Sequence, residues 1–188
     1  MVSGAPPTIA EQQAAIFQAV GECISAWAMV ERNLSILYND CITHATGSTS
    51  NLGIHISVFD AVISLDARIS MIRAVIKWKA NSNGDKNNPL LAFVDEWNVL
   101  AKAVRKRYTK RNEIAHSDIV QWKDNAGNSI VNLAPFPTFS NNLDNRLGLK
   151  ELAERQSSFA IIAQRINDFI RRIRAAQAQL PGFPVRAL

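Results

Sequence analysis

The sequence is poor in cysteine, with two such residues among 188. Cys23 and Cys41 fall in one helical pattern, where a rise of about 1.5 Å per residue would place them roughly 27 Å apart. That separation is far beyond the reach of a disulfide bond. Since no cluster of histidine and cysteine accompanies them, neither a disulfide framework nor a zinc site is supported. We expect a reducing compartment and neither a metal nor another cofactor.

Long hydrophobic runs are also missing. No uninterrupted apolar stretch approaches the roughly 20 residues of a membrane span, and the opening MVSGAPPTIAEQQ lacks the charged start and apolar run of a signal peptide. The chain contains no glycine-rich phosphate loop, no Cys-x-x-Cys pair and no Gly-x-Ser-x-Gly elbow, so the chemistries that use them find little support. We expect a cytoplasmic protein that has no membrane partner.

The length and charge of the chain set modest bounds. A chain of 188 residues, 47% of them hydrophobic, is long enough for one substantial core and too short for two full-sized domains to be the default. The formal charge of +5 favours acidic partners such as nucleic acid. We predict a flexible N-terminus over residues 1–7, a single helical domain over 8–180 and a C-terminal tail over 181–188.

Apolar residues recur at spacings of three and four along most of the chain, which is typical of helices with one buried face. Two segments rich in small polar residues and glycine, THATGSTSNLG and NSNGDKNNP, are predicted loops. The four predicted helices run from the N-cap Thr8 to about Ala45, through a stripe from Val58 to Ile76, from near Pro89 to the basic segment before His116, and from about Leu149 to Gln179.

The period changes after the third predicted helix. Two short β-prone runs, Ile119–Trp122 and Ser129–Leu133, flank the turn-like segment KDNAGN and predict a β-hairpin that ends at Pro135. The predicted fold class is therefore all-α, a four-helix bundle with a small β-hairpin inserted between helices 3 and 4.

The segment KRNEIAHS places one of only three histidines at the end of the third predicted helix. On a continuous helix Asn112 and His116 share a face, whereas Arg111 points roughly 140° away from His116. The two converge only if the last turn unwinds or a second chain contributes. Arg111 instead lines up with an apolar stripe, where its charge requires a partner or an anion. The residues of that stripe are Trp97, Leu100, Val104 and Tyr108.

A candidate partner for Arg111 lies in the first predicted helix. Glu31 interrupts the apolar stripe of AWAMVERNLSILY with a carboxylate, and carboxylates are seldom buried unpaired. We predict an ion pair between Glu31 and Arg111 as a supporting feature of the site. A solvated Glu31 at the edge of the stripe is the alternative.

The motif RNEIAH, residues 111–116, resembles the signature of the HEPN family, in which an arginine is followed by a polar residue and, after four to six intervening residues, a histidine. Its place near the end of a long helix is similar as well. The resemblance extends over the helices from about Thr8 to Gln179 and implies a bundle of four or five helices.

The resemblance to catalytic HEPN members implies a metal-independent endoribonuclease, whose active site forms where two protomers bring their motifs together. By this resemblance His116 performs general acid–base catalysis, Arg111 stabilises the phosphate charge and Asn112 positions either one. These residue types suit the chemistry, since histidine exchanges protons near neutral pH and arginine offers a fixed positive fork. The alternative leaves all three residues structural, with His116 favoured by the helix dipole.

The segment KAVRKRYTKR concentrates positive charge on the helix that ends in the motif, where an RNA backbone would require it. A solvated helix face is the alternative. Tyr108 is expected to pack in the core, the cluster RRIR at residues 171–174 to compensate the helix dipole, and His44 and His55 to be surface residues. The predicted RNA-binding residues are Lys102, Arg105, Lys106, Arg107 and Lys110.

Two functions follow from the resemblance. The first is a homodimeric endoribonuclease, a toxin or phage-defence effector restrained by an antitoxin protein. The second is a non-catalytic HEPN-like module that binds RNA, a nucleotide or another protein, because a fold does not fix a function.

Overall fold

The computed structural model describes residues 6–46, 52–81, 88–135 and 146–179. The predicted tail 181–188, residues 1–5 and the central parts of both predicted loops lie outside these ranges. Among the described helices, none is both long and apolar enough to cross a membrane. The elements within the described ranges are α1 (Ile9–Thr46), α2 (Leu52–Ala61), α3 (Leu65–Asn81), α4 (Leu91–Ala115), β1 (Ser117–Lys123), β2 (Ser129–Pro135) and α5 (Leu149–Gln177).

The start of α1 confirms the predicted N-cap. The Thr8 hydroxyl accepts a hydrogen bond from the Glu11 amide at 3.3 Å, and the Glu11 carboxylate accepts one from the Thr8 amide at 2.7 Å. This reciprocal capping box satisfies two backbone donors that the first helical turn leaves free. Two hydrogen bonds lower the pKa of Glu11. The bond from the Thr8 backbone amide has the larger effect, and the bond from the Thr8 hydroxyl has the smaller one.

The prediction of one continuous second helix is wrong. The helix is interrupted between Ala61 and Leu65, and the chain forms α2 and α3 instead. The Arg68 side chain donates to the Val62 carbonyl at 2.6 Å and to the Asp60 carbonyl at 2.9 Å. Carbonyls that a continuing helix would bond through its backbone are thus bonded by a side chain instead. Val58, predicted on the buried face, is 51% exposed.

The first predicted loop is also wrong at its end, because α2 begins before the predicted loop is over. Its last residues, Leu52 and Gly53, already belong to α2. With this element, the described ranges contain five helices instead of the four predicted. The mostly helical class and the hairpin between the last two helices are confirmed.

The predicted hairpin is confirmed, and its strands are longer than expected. β1 and β2 pair antiparallel in the register that joins Ser117 to Pro135 and Lys123 to Ser129. In the turn, the Asp124 carboxylate accepts hydrogen bonds from Asn128, which lower its pKa. Gly127 has a φ of 83°, a conformation that costs other residues energy. The local turn chemistry therefore determines the hairpin.

The chain divides into two compact units, each of which is described by itself. The first unit is formed by Met1–Ala28 and Arg107–Ala160. At its core, Trp27 packs edge-on against Phe159 at 5.5 Å between ring centroids and tilts against Tyr108 at 5.9 Å. Tyr108 therefore packs in the core, as predicted.

The hairpin is attached to α1 within the first unit. The Gln12 side chain donates to the Ser129 carbonyl and accepts from the Val131 amide, both at 3.1 Å. Farther along α1, the buried Cys23 thiol donates to the Leu152 carbonyl at 3.2 Å. One helix thus holds both β2 and the start of α5.

The second unit is formed by Met29–Lys106 and Ile161–Leu188. Phe169 lies 5.5 Å from Phe93 and 5.9 Å from Trp97 between ring centroids, and all three are buried or half-buried. The Trp97 indole also donates to the Ile69 carbonyl at 3.4 Å. The single domain over residues 8–180 stays a prediction.

Candidate functional site

The motif occupies the last turn of α4 and the residue after it. The His116 amide donates to the Asn112 carbonyl at 2.9 Å, which is the i to i−4 bond of a helix, so the turn is not unwound. The His116 side chain is exposed directly before β1. A helix that stays wound through His116 keeps the Arg111 side chain roughly 140° away around the axis.

The Arg111 guanidinium is half-buried in the first unit. Its Nη1 donates to Asn112 Oδ1 at 3.2 Å. Its Nε is buried and has no hydrogen-bond partner within the described ranges. An unsatisfied buried donor on a charged group is costly, and an anion that reached this N–H would remove that cost.

Asn112 orients the arginine of the motif and not the histidine ring. Its side-chain oxygen accepts the bond from Arg111, and its backbone carbonyl accepts the bond from the His116 amide. The sequence left open which of the two residues it positions. In the described part of the chain the His116 ring forms no hydrogen bond or ion pair.

Arg155 of α5 holds the last turn of α4, a contact that the sequence analysis missed. Its Nη2 lies 2.6 Å from a carboxylate oxygen of Glu113, and its Nη1 donates to the Lys110 carbonyl at 2.8 Å. The Arg155 side chain is only 13% exposed. No local pattern predicts this contact, because α5 lies some forty residues farther along the chain.

Replacing Arg155 with alanine is expected to lower the free energy of unfolding by about 1–2 kcal/mol, since it removes an ion pair whose arginine is largely buried and one hydrogen bond to a carbonyl. Urea denaturation measures the loss. Lys150→Ala removes an exposed cation from the same helix and unit, and is expected to stay within about 0.5 kcal/mol of the wild type. Equal effects of the two substitutions would contradict the structural role of Arg155.

The predicted RNA-binding residues divide between the two units. In the first unit, Arg107 Nε donates to the Ser158 carbonyl at 3.0 Å. In the second unit, Arg105 pairs with Asp66 at 2.5 Å. Both arginines are thus already bonded to protein groups. Lys102 and Lys106 are exposed and Lys110 is half-buried.

Glu31 belongs to the second unit, so its pairing with Arg111 stays a prediction. It is half-buried on α1 and lines a cavity of that unit. Within the second unit it forms no hydrogen bond or ion pair.

The cluster RRIR forms specific ion pairs in the second unit, where the sequence suggested only compensation of the helix dipole. Arg171 pairs with Asp168 and Arg172 with Glu96. Arg174 Nη2 lies 2.6 Å from Asp40 Oδ2. The pair of Arg171 lies within α5, whereas those of Arg172 and Arg174 join the end of α5 to α4 and α1.

The prediction of two surface histidines is not confirmed. His55 lies on α2 and is half-buried. Its Nδ1 is buried and has no hydrogen-bond partner among the described residues. The side chain of His44 lies outside the described part.

In comparisons with known proteins, no family model, curated protein or solved structure matches the chain.

Proposed function

We propose that this protein is a metal-independent endoribonuclease of the HEPN type that acts on RNA as a homodimer. The observation that carries the proposal is the state of Arg111. Its guanidinium is held by Asn112 on one side and keeps a buried, unused Nε–H donor, one turn before the exposed His116. A phosphate oxygen would satisfy that donor.

The proposed reaction is an attack of a ribose 2′-hydroxyl on the adjacent phosphorus. His116 accepts the hydroxyl proton and then returns a proton to the departing 5′-oxygen. Arg111 stabilises the charge that grows on the phosphate oxygens. The bond to the 5′-oxygen breaks as the bond to the 2′-oxygen forms, which leaves a cyclic 2′,3′-phosphate and a 5′-hydroxyl.

The homodimer part of the proposal follows from helix geometry. Since the turn from Asn112 to His116 remains helical, Arg111 and His116 of one chain point in different directions. A second copy brings Arg111 of one protomer to His116 of the other, and a two-fold axis then creates two equivalent sites. A role as a toxin or phage-defence effector, restrained by an antitoxin protein, belongs to this proposal.

Cleavage of RNA by the purified protein in EDTA tests the nuclease proposal. We expect products that carry cyclic phosphate and 5′-hydroxyl ends, and no cutting of DNA with the same sequence, because DNA lacks the attacking hydroxyl. Intact RNA across total cellular RNA and unstructured oligonucleotides would contradict the proposal. Cleavage that disappears in EDTA would contradict its metal-independent chemistry.

A second candidate is a non-catalytic HEPN-like module that binds RNA, a nucleotide or another protein. It is favoured by Arg105 and Arg107, which are bonded to protein groups and not left free for a phosphate backbone. Expression in bacteria separates the two candidates. Growth arrest that His116→Ala abolishes favours the nuclease, whereas tolerated overexpression with unchanged cellular RNA favours the binding module.

A further inference from the structure

A cavity of about 520 Å³ lies in the second unit, beside α1 and the region where α2 gives way to α3. Pockets of this size accommodate small molecules. Its lining combines charged and apolar side chains. They include Glu31, Arg32, Asp60 and Arg68 together with Ile36 and Ile56.

Hydrogen bonds fix two of the charged groups in place. Ser35, which is buried, donates its hydroxyl to Asp60 Oδ1 at 2.5 Å. The Arg68 guanidinium donates to the Val62 carbonyl at 2.6 Å and lies 5.5 Å from the centroid of the Phe59 ring. The positions of both charges are therefore set by protein contacts before any ligand arrives.

The four charges around the cavity balance, with two carboxylates and two guanidiniums, yet none of them forms an ion pair with another. Arg68 binds only carbonyls and an aromatic ring through the contacts above, and Asp60 takes a neutral hydroxyl. Opposite charges thus surround one cavity without a direct ion pair between them. A ligand that carries both signs would pair with them.

We propose that this cavity binds a small zwitterion, an α-amino acid with an apolar side chain. The ammonium group pairs with the carboxylates of Glu31 and Asp60, and the carboxylate pairs with the guanidiniums of Arg32 and Arg68. The apolar side chain packs against the two isoleucines.

Isothermal titration with L-leucine, L-isoleucine and L-methionine tests this proposal, and it needs no RNA and does not depend on the nuclease function. At least one of the three is expected to bind with a dissociation constant on the order of 1 mM or tighter. Isocaproate and isoamylamine each retain one charge of leucine. Each should bind at least about tenfold more weakly than the best amino acid, because one pair of ionic hydrogen bonds is lost.

Two substitutions in the lining and two matched controls locate the site. Arg32→Gln and Asp60→Asn are expected to weaken binding of the best amino acid by about tenfold or more. Arg73→Gln and Asp95→Asn remove exposed charges of the same signs from the same unit, outside the lining, and should leave binding unchanged. Circular dichroism verifies that all four variants are folded.

Two results would overturn the proposal. One is the absence of heat for all three amino acids up to about 10 mM with folded wild-type protein. The other is binding that survives both substitutions of the lining, or that isocaproate or isoamylamine reproduces at equal strength. The first result would show that the cavity does not bind these zwitterions. The second would show that binding does not depend on the charges of the lining.

Discussion

Replacing His116 with alanine is expected to lower the rate of RNA cleavage in EDTA by about 10²–10⁴-fold, the range that a single positioned acid–base group contributes. Alanine keeps the helix end but can exchange no proton with the 2′-hydroxyl or the 5′-oxygen. Because the His116 side chain is exposed and has no partner in the described part, the substitution should leave stability within about 0.5 kcal/mol of the wild type. Initial rates on a labelled oligonucleotide measure the loss.

The control for this prediction is Gln121→Ala, which removes an exposed polar side chain from β1, a few residues after the motif. It should cleave RNA at the wild-type rate. If His116→Ala, matched in circular dichroism and oligomeric state, cleaves as fast as the control, His116 is not the acid–base group.

Mixing variants shows whether the site is shared between chains. His116→Ala and Arg111→Ala are each expected to retain no more than about a hundredth of the wild-type rate, and their mixture should recover about a quarter of that rate after subunit exchange. Half of the dimers are then mixed, and each mixed dimer contains one intact site formed by Arg111 of one protomer and His116 of the other. A mixture that stays inactive although exchange is complete would contradict a site shared in this way.

The second large effect concerns the dependence of stability on pH. Lys79 is 4% exposed in the second unit, where burial lowers its pKa from 10.5 to about 8 although Cys41 and Asp40 oppose that change. Between pH 8 and 10.5 the unfolded chain therefore binds a proton at Lys79 that the folded protein has released. Stability must rise with pH across this window because the unfolded state binds more protons.

Cys41 acts in the opposite direction. Burial raises the pKa of its thiol from 9 to about 12, so above pH 9 the unfolded chain has lost a proton that the folded protein keeps. Stability then falls with pH. Burial also raises the pKa of Cys23 and of Tyr38, which adds to the fall. We expect the stability of the wild type to rise from about pH 8 to 9. At higher pH the contribution of the thiols and Tyr38 should offset this rise.

Comparison with Lys79→Met isolates the contribution of the lysine. The stability of the wild type relative to this variant is expected to rise by about 3 kcal/mol between pH 8 and 10.5, since each pKa unit corresponds to about 1.4 kcal/mol. Urea denaturation at a series of pH values gives the difference. The exposed Lys77 on the same helix supplies the control, because Lys77→Met should show no such rise. Parallel pH profiles of the wild type and Lys79→Met would contradict a depressed pKa at this site.

Features of the fold that depend on near neighbours were predictable. Thr8 and Glu11 form a capping box within one helical turn. The turn between β1 and β2 depends on Asp124 and Gly127, which lie in the short segment between the two strands. The helical stripes likewise located α1, α4 and α5. In each case the residues that decide the structure lie within a few positions of one another.

Features that depend on distant residues were not predictable. The apolar stripe in the sequence runs without interruption from Val58 to Ile76. The helix is nevertheless interrupted where the Arg68 side chain bonds the carbonyls of Asp60 and Val62. Arg155 binds the turn that contains Glu113 across 42 positions of sequence, and nothing near either residue signals the other. Side-chain contacts of this kind are selected by packing and not by local propensity.

The sequence by itself determined that the chain is mostly helical, where the hairpin lies, and that an arginine, an asparagine and a histidine lie close together at the end of one helix. Only the tertiary structure decided what these residues touch: Asn112 bonds Arg111, the Arg111 Nε–H is buried without a partner in the described part, and Arg105 and Arg107 are bonded to protein groups. The reason is physical, since periodicity encodes which face of a helix is apolar but not which distant side chain reaches it.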